Sequence, residues 1–333
     1  MISFLPVVNL IFLAETYLEY NKKMEIFRSE IERIKIIAID ENAYGPLIGP
    51  LLVTAVKIEA EGDPFEELKL GDMKFPFRFS DSKKVFQRNR SGYSAGEIAV
   101  HAILQAFGLR PSTFTELLKA VSPEALDEYI REGLGDRLGD VELPLWAKEI
   151  RDYYIQNQFE AMGIKPLSLR ARVVFPPHFN RMIDDLDNKA LLDLKLFISL
   201  LEELAESGDV ALLGKIGGTA RYGRFFEALG VEIKEIKGEG KGRSSYDVIL
   251  GEREISLHFL LDADEIFLPV ALASLLGKYI REIYMYLLAR ALGKEDPIPW
   301  ASGYRHDSKT YDLLELAEKR WGIEARNLLL RKR

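Results

Sequence analysis

Asp40 and Glu41 stand side by side at the end of an otherwise apolar run, I-I-A-I-D-E, where two ionised carboxylates are costly unless a cation, a proton or solvent compensates them. A second acidic pair, Asp262 and Asp264, closes the run H-F-L-L-D-A-D, and the two-residue period of a strand would project both to one side. If the two run ends lie side by side, four carboxylates converge. Hard oxygen donors of this kind suit Mg2+ or Mn2+, which fill octahedral shells with water and phosphate oxygens. Two such ions about 3.5 to 4 Å apart can activate water and stabilise a leaving oxygen in phosphodiester cleavage. The bland alternative for each pair is a strand-end or helix-capping acid, and spacing alone leaves both readings open.

The first pair needs a strand to hold it. Runs at 36–39 and 51–58, separated by Gly45-Pro46 and Gly49-Pro50, read as a hairpin with a long, kinked turn. Residues 97–107 follow helical spacing until Pro111, and 112–163 carries three further helical patterns with cap signals and no strand, a helical insertion. Next come a strand at 169–175, a long helix at 188–206, a short buried strand at 210–213, a glycine-rich turn at 214–218, a helix at 224–229 and a strand at 231–236. A hairpin of 247–250 and 254–261 around Gly251-Glu252 follows, then helices at 269–292 and 307–321. Mixed strands and helices without repeats give an α/β layered fold. The expected organisation is an N-terminal extension, 1–34, before one domain, 35–333, with its insertion at about 112–163 and a C-terminal helical segment at about 307–333.

With 333 residues, 47% hydrophobic and 29% charged, the chain can bury a sizeable core. It has no cysteine, which excludes disulfides and Cys-ligated zinc or iron-sulfur sites, and only four histidines, which argues against a His-rich metal cage. The formal charge of -7 repels phosphate at long range, so nucleic-acid binding must come from a local basic surface. The apolar start runs about fourteen residues, short of the roughly twenty that cross a bilayer, and lacks a signal peptide's basic n-region. It reads as a packing helix, or as sequence upstream of a start at Met24. A cytoplasmic protein without a membrane partner is expected; protein partners are unassigned.

The segment I-D-E-N-A-Y-G-P-L-I-G-P-L-L-V-T-A-V resembles the opening signature of type 2 ribonuclease H (ribonuclease HII), D-E-A-G-R-G-P-x-x-G-P-L-V-x-A. Asp81-Ser82-Lys83-Lys84 is similar to that family's D-S-K-K element. The stretch L-D-A-D-E-I-F-L-P-V-A-L-A-S-L-L-G-K-Y-I-R-E resembles the segment of its last catalytic Asp and the following A-A-S-I-x-A-K-x-x-R-D. Trp300 to Tyr304, with Asp307, Lys309 and Thr310, resembles G-S-G-Y-P-x-D-x-K-T. With four elements in the family's order across 36–310, the chain is identified as a divergent member of that superfamily. The resemblance implies a ribonuclease H-like mixed central sheet flanked by helices. It also implies cleavage of RNA in RNA/DNA hybrids, or at a ribonucleotide in duplex DNA, by four carboxylates with Mg2+ or Mn2+. Three of the family's catalytic, metal-binding acids fall on Asp40, Glu41 and Asp264. The third is missing: its place at the end of V-A-L-L-G-K holds Leu213 or Gly214, with no acid between Asp209 and Glu227. Asp262 is the nearest acid that could compensate, whereas an inward-pointing Lys215 would stand in for one metal's charge.

For substrate binding the resemblance points to Tyr44, Gly45, Ser82, Lys83, Lys278, Arg281 and Tyr304. The family's G-R-G is here Ala43-Tyr44-Gly45, which adds a methyl where backbone approaches the 2′-hydroxyl and removes a cation. Lys215, Arg221 and Arg224 around Gly217-Gly218 form either a phosphate nest or a plain turn. His178 and His258 read as core or surface histidines, and the tail 331–333 as a solvated end. Three functions remain: a metal-dependent endonuclease, a catalytically weakened relative that binds nucleic acid or a partner, for which the absent third acid speaks, or action on a different phosphodiester substrate read through the helical insertion at 112–163.

Overall fold

The computed structural model describes residues 33–332 apart from 73–74, 76–78 and 153, so the apolar N-terminal stretch and its alternative readings lie outside the described residues. Seven strands, β1 (Arg33–Asn42), β2 (Leu51–Glu61), β3 (Ile164–Val174), β4 (Val210–Gly214), β5 (Val231–Glu239), β6 (Arg243–Leu250) and β7 (Arg253–Leu260), form one sheet in the order β3-β2-β1-β4-β7-β6-β5. The β-branched runs around the Gly-Pro turns pair as an antiparallel β1–β2 hairpin with Asp40 opposite Thr54. β4 lies parallel to β1 and β7 parallel to β4. The carboxyl ends of these three strands therefore share one end of the sheet, where open α/β sheets hold their ligands. The β6–β7 hairpin turns at Gly251-Glu252 as expected, with Gly251 at φ 64.

The long helices are α1 (Arg90–Ala106), α2 (Lys189–Leu204), α3 (Leu268–Ala291) and α4 (Ser308–Trp321). Helices flank both faces of a mixed sheet, the expected α/β architecture. Among the described residues between α1 and β3 the helices are short, Phe114–Val121, Pro123–Arg131, Leu134–Leu138 and Ile155–Ala161, and their apolar side chains join the core around α3. Among the described residues no helix is long and apolar enough to cross a membrane.

Two cores sandwich the sheet. Along β1, Ile36 and Ala38 face the core of α3, while Ile37 and Ile39 face that of α2. The pleat continues this alternation. Asp40 consequently turns toward α3 and Glu41 toward α2, so the adjacent acids are split between the faces. Small residues at the start of α3 let it approach β1 closely: a Cβ on Gly277 would lie 2.0 Å from Asn42 Oδ1.

Candidate active site

A cavity of about 310 Å³ opens at the shared strand ends. The acids and substrate-binding residues that the resemblance named all line it: Asp40, Glu41, Tyr44, Gly45, Ser82, Lys83, Asp262, Asp264, Lys278, Arg281 and Tyr304. On the α3 side, Ser274 donates to Asp264 Oδ2 at 3.3 Å, hydrogen-bonds Asp40, and lies 3.2 Å from Ser82 Oγ. Burial, then the nearby Asp264, raises the Asp40 carboxyl well above the ordinary range. Burial, then Asp81, raises that of Asp264. Asp81 caps the short helix Ser82–Val85 by accepting from the Lys83 N–H at 2.9 Å.

The expected same-side projection of Asp262 and Asp264 fails. β7 ends at Leu260, Asp262 turns into the left-handed region at φ 53, and Asp264 sits in the first turn of the short helix Ala263–Ile266. Helical geometry replaces the strand period, leaving Asp262 exposed and Asp264 half-buried against Ser274. β1 and β7 are also not neighbours, since β4 runs between them. Nor can β4 supply the missing acid. A Cβ on Gly214 would lie 2.4 Å from Asp40 Oδ1, and Leu213 is fully buried in the opposite core.

On the α2 side, sequence reasoning missed three residues. Asp193, one turn after Lys189, is fully buried, and neither carboxylate oxygen has a hydrogen-bond partner. Burial, then Glu41, raises its carboxyl well above the ordinary range. Glu41 is itself raised to about 7 by burial, which the charge of Arg331 opposes. Arg331 is 3% exposed, which corrects the reading of the tail as a solvated end. The bridge between Ile48 and Leu330 seats the C-terminal segment beside the loop that follows Glu41, and burial lowers the Arg331 guanidinium to about 10. Lys189 is lowered to about 8, mainly by burial.

The loop after Glu41 keeps a glycine-like backbone without the glycine, for Ala43 has φ 74. Arg331 holds it there, donating to the carbonyls of Ala43 at 2.7 Å and Pro46 at 2.6 Å. On the α2 side Lys189 Nζ stands 4.7 Å over the Tyr44 ring, a cation beside the loop. Tyr304 packs beside Gly45 and stacks on His306 at 5.5 Å between ring centroids. Lys278 and Arg281 are both held by the buried Glu282, at 2.7 and 3.0 Å. Their charge is therefore compensated within the protein, whereas Lys83 has no ion-pair partner among the described residues. Lys215 points away from the acids to the Gly240 carbonyl, 2.5 Å off, and replaces no metal charge. Arg221 is highly exposed and stands 4.0 Å from Glu239. His258 is a core histidine against Phe65, and His178 pairs with Glu128.

The donors fit a hard cation. Asp40, Asp264 and the Ser274 hydroxyl offer oxygen only, and Mg2+ is commonly held by one or two carboxylates with water and substrate phosphate. Among the described residues no three Asp, Glu or His side chains are grouped closely enough to hold a metal ion by themselves. That agrees with Asp40 and Glu41 facing opposite sides of the sheet.

No family model and no curated protein matches the chain. Among solved structures it is similar to Bst-RNase HIII in complex with Mn2+, at 15% identity and TM-score 0.39, covering 91% of this chain and 68% of that one. It is similar to RNase HII in the PCNA:RNase HII complex from Archaeoglobus fulgidus, at 16% identity and TM-score 0.41, with 90% and 95% covered. Ribonuclease H2 from Pyrococcus horikoshii OT3 matches at 17% identity and TM-score 0.39, with 87% and 89% covered. At such identities and TM-scores these likenesses carry no residue roles across.

Proposed function

We propose that the cleft is the active site of a cytoplasmic, divalent-metal-dependent endonuclease of the type 2 ribonuclease H kind, cutting RNA in RNA/DNA hybrids or at a ribonucleotide in duplex DNA. The observation that carries this reading is the pair Asp40 and Asp264, brought to one Ser274 hydroxyl at the ends of parallel strands beside Lys83 and Tyr304. Two carboxylates raised by burial and by a neighbouring acid, Asp264 for Asp40 and Asp81 for Asp264, form a site that gains from a cation. Asp40 and Asp264 would hold Mg2+ or Mn2+, which when bound supplies Lewis acidity toward a phosphate oxygen and its attacking water. Ser274 donates to Asp264, and its hydroxyl favours the charged form of Asp40 beside it. Lys83 meets backbone phosphate, Tyr304 offers a face for a ribose or base, and Arg331 keeps the loop of Ala43 and Tyr44 close to the strand being read. In this reading residues 35–333 act as one ribonuclease H-like unit, with 112–163 inserted.

The test is incubation of purified protein with a labelled hybrid, and with a DNA duplex carrying one ribonucleotide, in Mg2+ and in Mn2+. Cleavage that Asp40→Asn abolishes is expected; intact substrate in all four reactions sinks the endonuclease. Gly214 beside Asp40, where the resembled family carries an acid, favours a second reading, a weakened relative that binds nucleic acid or a partner. Tight, salt-sensitive duplex binding without cleavage would select it.

A further inference from the structure

The face of α2 that covers the sheet is apolar, with Leu192, Leu194, Phe197, Ile198 and Leu201 buried, except at Asp193. Asp193 is 0% exposed, and neither of its oxygens accepts a hydrogen bond. Burying a carboxylate without donors costs several kcal/mol, so retention of one in a helix face calls for a compensating positive group. Two cations are near, yet neither pairs with it. Lys189 lies over the rings of Tyr44 and Phe179, and Arg331 is committed to the carbonyls of Ala43 and Pro46. The acid nearest in influence is Glu41, which turns to this face of the sheet and has its own buried, unpartnered oxygen, Oε1. Glu41 also lines the cleft, whereas Asp193 lies wholly beneath it, so Glu41 is the member of the pair at the surface where substrate would lie.

We propose that Asp193 and Glu41 together ligate a divalent cation of the Mg2+ or Mn2+ class, on the opposite face of β1 from Asp40 and Asp264. Asp193 thereby supplies from a helix the acid that β4 lacks. This rests on the metal-dependent reading of the cleft and deepens it. The donor chemistry supports it: three unpartnered buried carboxylate oxygens on two side chains suit a small hard ion that keeps several waters. The backbone explains the location. A side chain at 214 would collide with Asp40, so a further acid must arrive from the other side, through the neighbour that the pleat turns that way.

The test is calorimetric titration of the whole chain with Mn2+, with thermal unfolding recorded alongside. The wild type is expected to take up two equivalents. Asp193→Asn should lose one or weaken it at least about tenfold, Glu41→Gln should lose the same one, and Asp40→Asn the other. Removal of the unpaired charge should also raise the melting temperature of metal-free Asp193→Asn and diminish the rise that Mn2+ gives the wild type. Unchanged stoichiometry and affinity in Asp193→Asn overturn the inference and leave the endonuclease standing. A wild type that binds no Mn2+ overturns both. Should Asp193→Asn lower the melting temperature equally with and without Mn2+, the carboxylate is a structural partner of Lys189 and the inference fails. If that variant does not fold, loss of one equivalent in Glu41→Gln together with its retention in Lys189→Met supports the site, and an intact count in Glu41→Gln overturns it.

Discussion

The two sides of the β1 end are built from the same residue types and behave differently. Toward α3, Asp40 and Asp264 share a hydroxyl and open into the cleft, with Lys83 nearby. Toward α2, Glu41 and Asp193 are packed with Lys189 and Arg331, four ionisable groups without one direct ion pair among them. The open side is arranged for exchange with solvent and substrate. The closed side is arranged to hold a loop and a charge balance. Adjacent acids on a strand thus do not amount to one site, because the pleat assigns them to different surroundings.

The sharpest way to break the contrast is to neutralise the open side. Asp40→Asn should lower cleavage about a thousandfold, since a metal-held oxygen contributes several kcal/mol to a transition state. It should also raise the metal-free melting temperature by relieving buried repulsion with Asp264. A variant that cuts normally places the chemistry elsewhere. On the closed side Arg331→Ala should act in the opposite sense. It strips the buried carbonyls of Ala43 and Pro46 of their donor and should cost about 3 kcal/mol in denaturant unfolding, with Arg331→Lys in between. An unchanged unfolding midpoint would mean that the C-terminal segment is not what fixes the loop.

Much of this was legible in the sequence. The β-branched runs, the Gly-Pro turns and the helix caps placed most elements, and each of the four motifs that resemble one family contributes residues to one cavity. The misses have physical causes. A lone acid among leucines, K-A-L-L-D-L-K-L, reads as the solvent stripe of a helix, and only the packing of α2 on the sheet reveals Asp193 as buried. A terminal R-K-R reads as a solvated end, and the bridge from Leu330 to Ile48, far away in sequence, is what buries Arg331. Asp262 and Asp264 followed strand logic beyond the strand, because nothing in F-L-L-D-A-D announces a left-handed turn at Asp262.

Gly214 tests the boundary between the two sides. Restoring an acid at the place where the resembled family carries one should impair the protein, since any Cβ there meets Asp40 Oδ1. Gly214→Ala should displace that carboxylate, cost about 1 to 3 kcal/mol as overpacking does, and lower Mn2+ affinity. A gain in cleavage from Gly214→Asp would show that Asp40 yields freely. Leu213→Asp places its acid in the α2 core and should cost more stability still.

The closed side should also announce itself through pH. Glu41 is raised by burial from 4.5 to about 7, so between those values the folded protein keeps a proton that the unfolded chain has released. Its contribution favours folding below pH 4.5 and is lost as pH rises through about 7, in the metal-free protein. Asp40 and Asp193, raised for the same reason, add in the same direction. Metal-free wild type should therefore melt progressively lower between pH 5 and 8, and Glu41→Gln should flatten part of that slope. A melting temperature that climbs over this range would show that Arg331 and Lys189 already neutralise the acids.

The smallest effect is expected at Ala43. Left-handed backbone costs a residue with a Cβ about 1 to 2 kcal/mol relative to glycine, while glycine loses about 0.5 to 1 kcal/mol more in conformational entropy on folding. Ala43→Gly should accordingly stabilise the protein by at most about 1.5 kcal/mol. Because Arg331 holds the loop from below, the backbone path should not change, and discrimination between hybrid and DNA duplex should shift only slightly. Tyr44→Arg is a different matter. It brings a second cation toward Lys189, now 4.7 Å from the ring, so the double variant should bind both duplexes more tightly with a steeper salt dependence and little added selectivity. Fluorescence anisotropy with matched hybrid and DNA duplexes at two salt concentrations measures this. A large rise in preference for the hybrid in Ala43→Gly alone would show that the Ala43 methyl, rather than the buried clamp beneath it, keeps the 2′-hydroxyl at a distance.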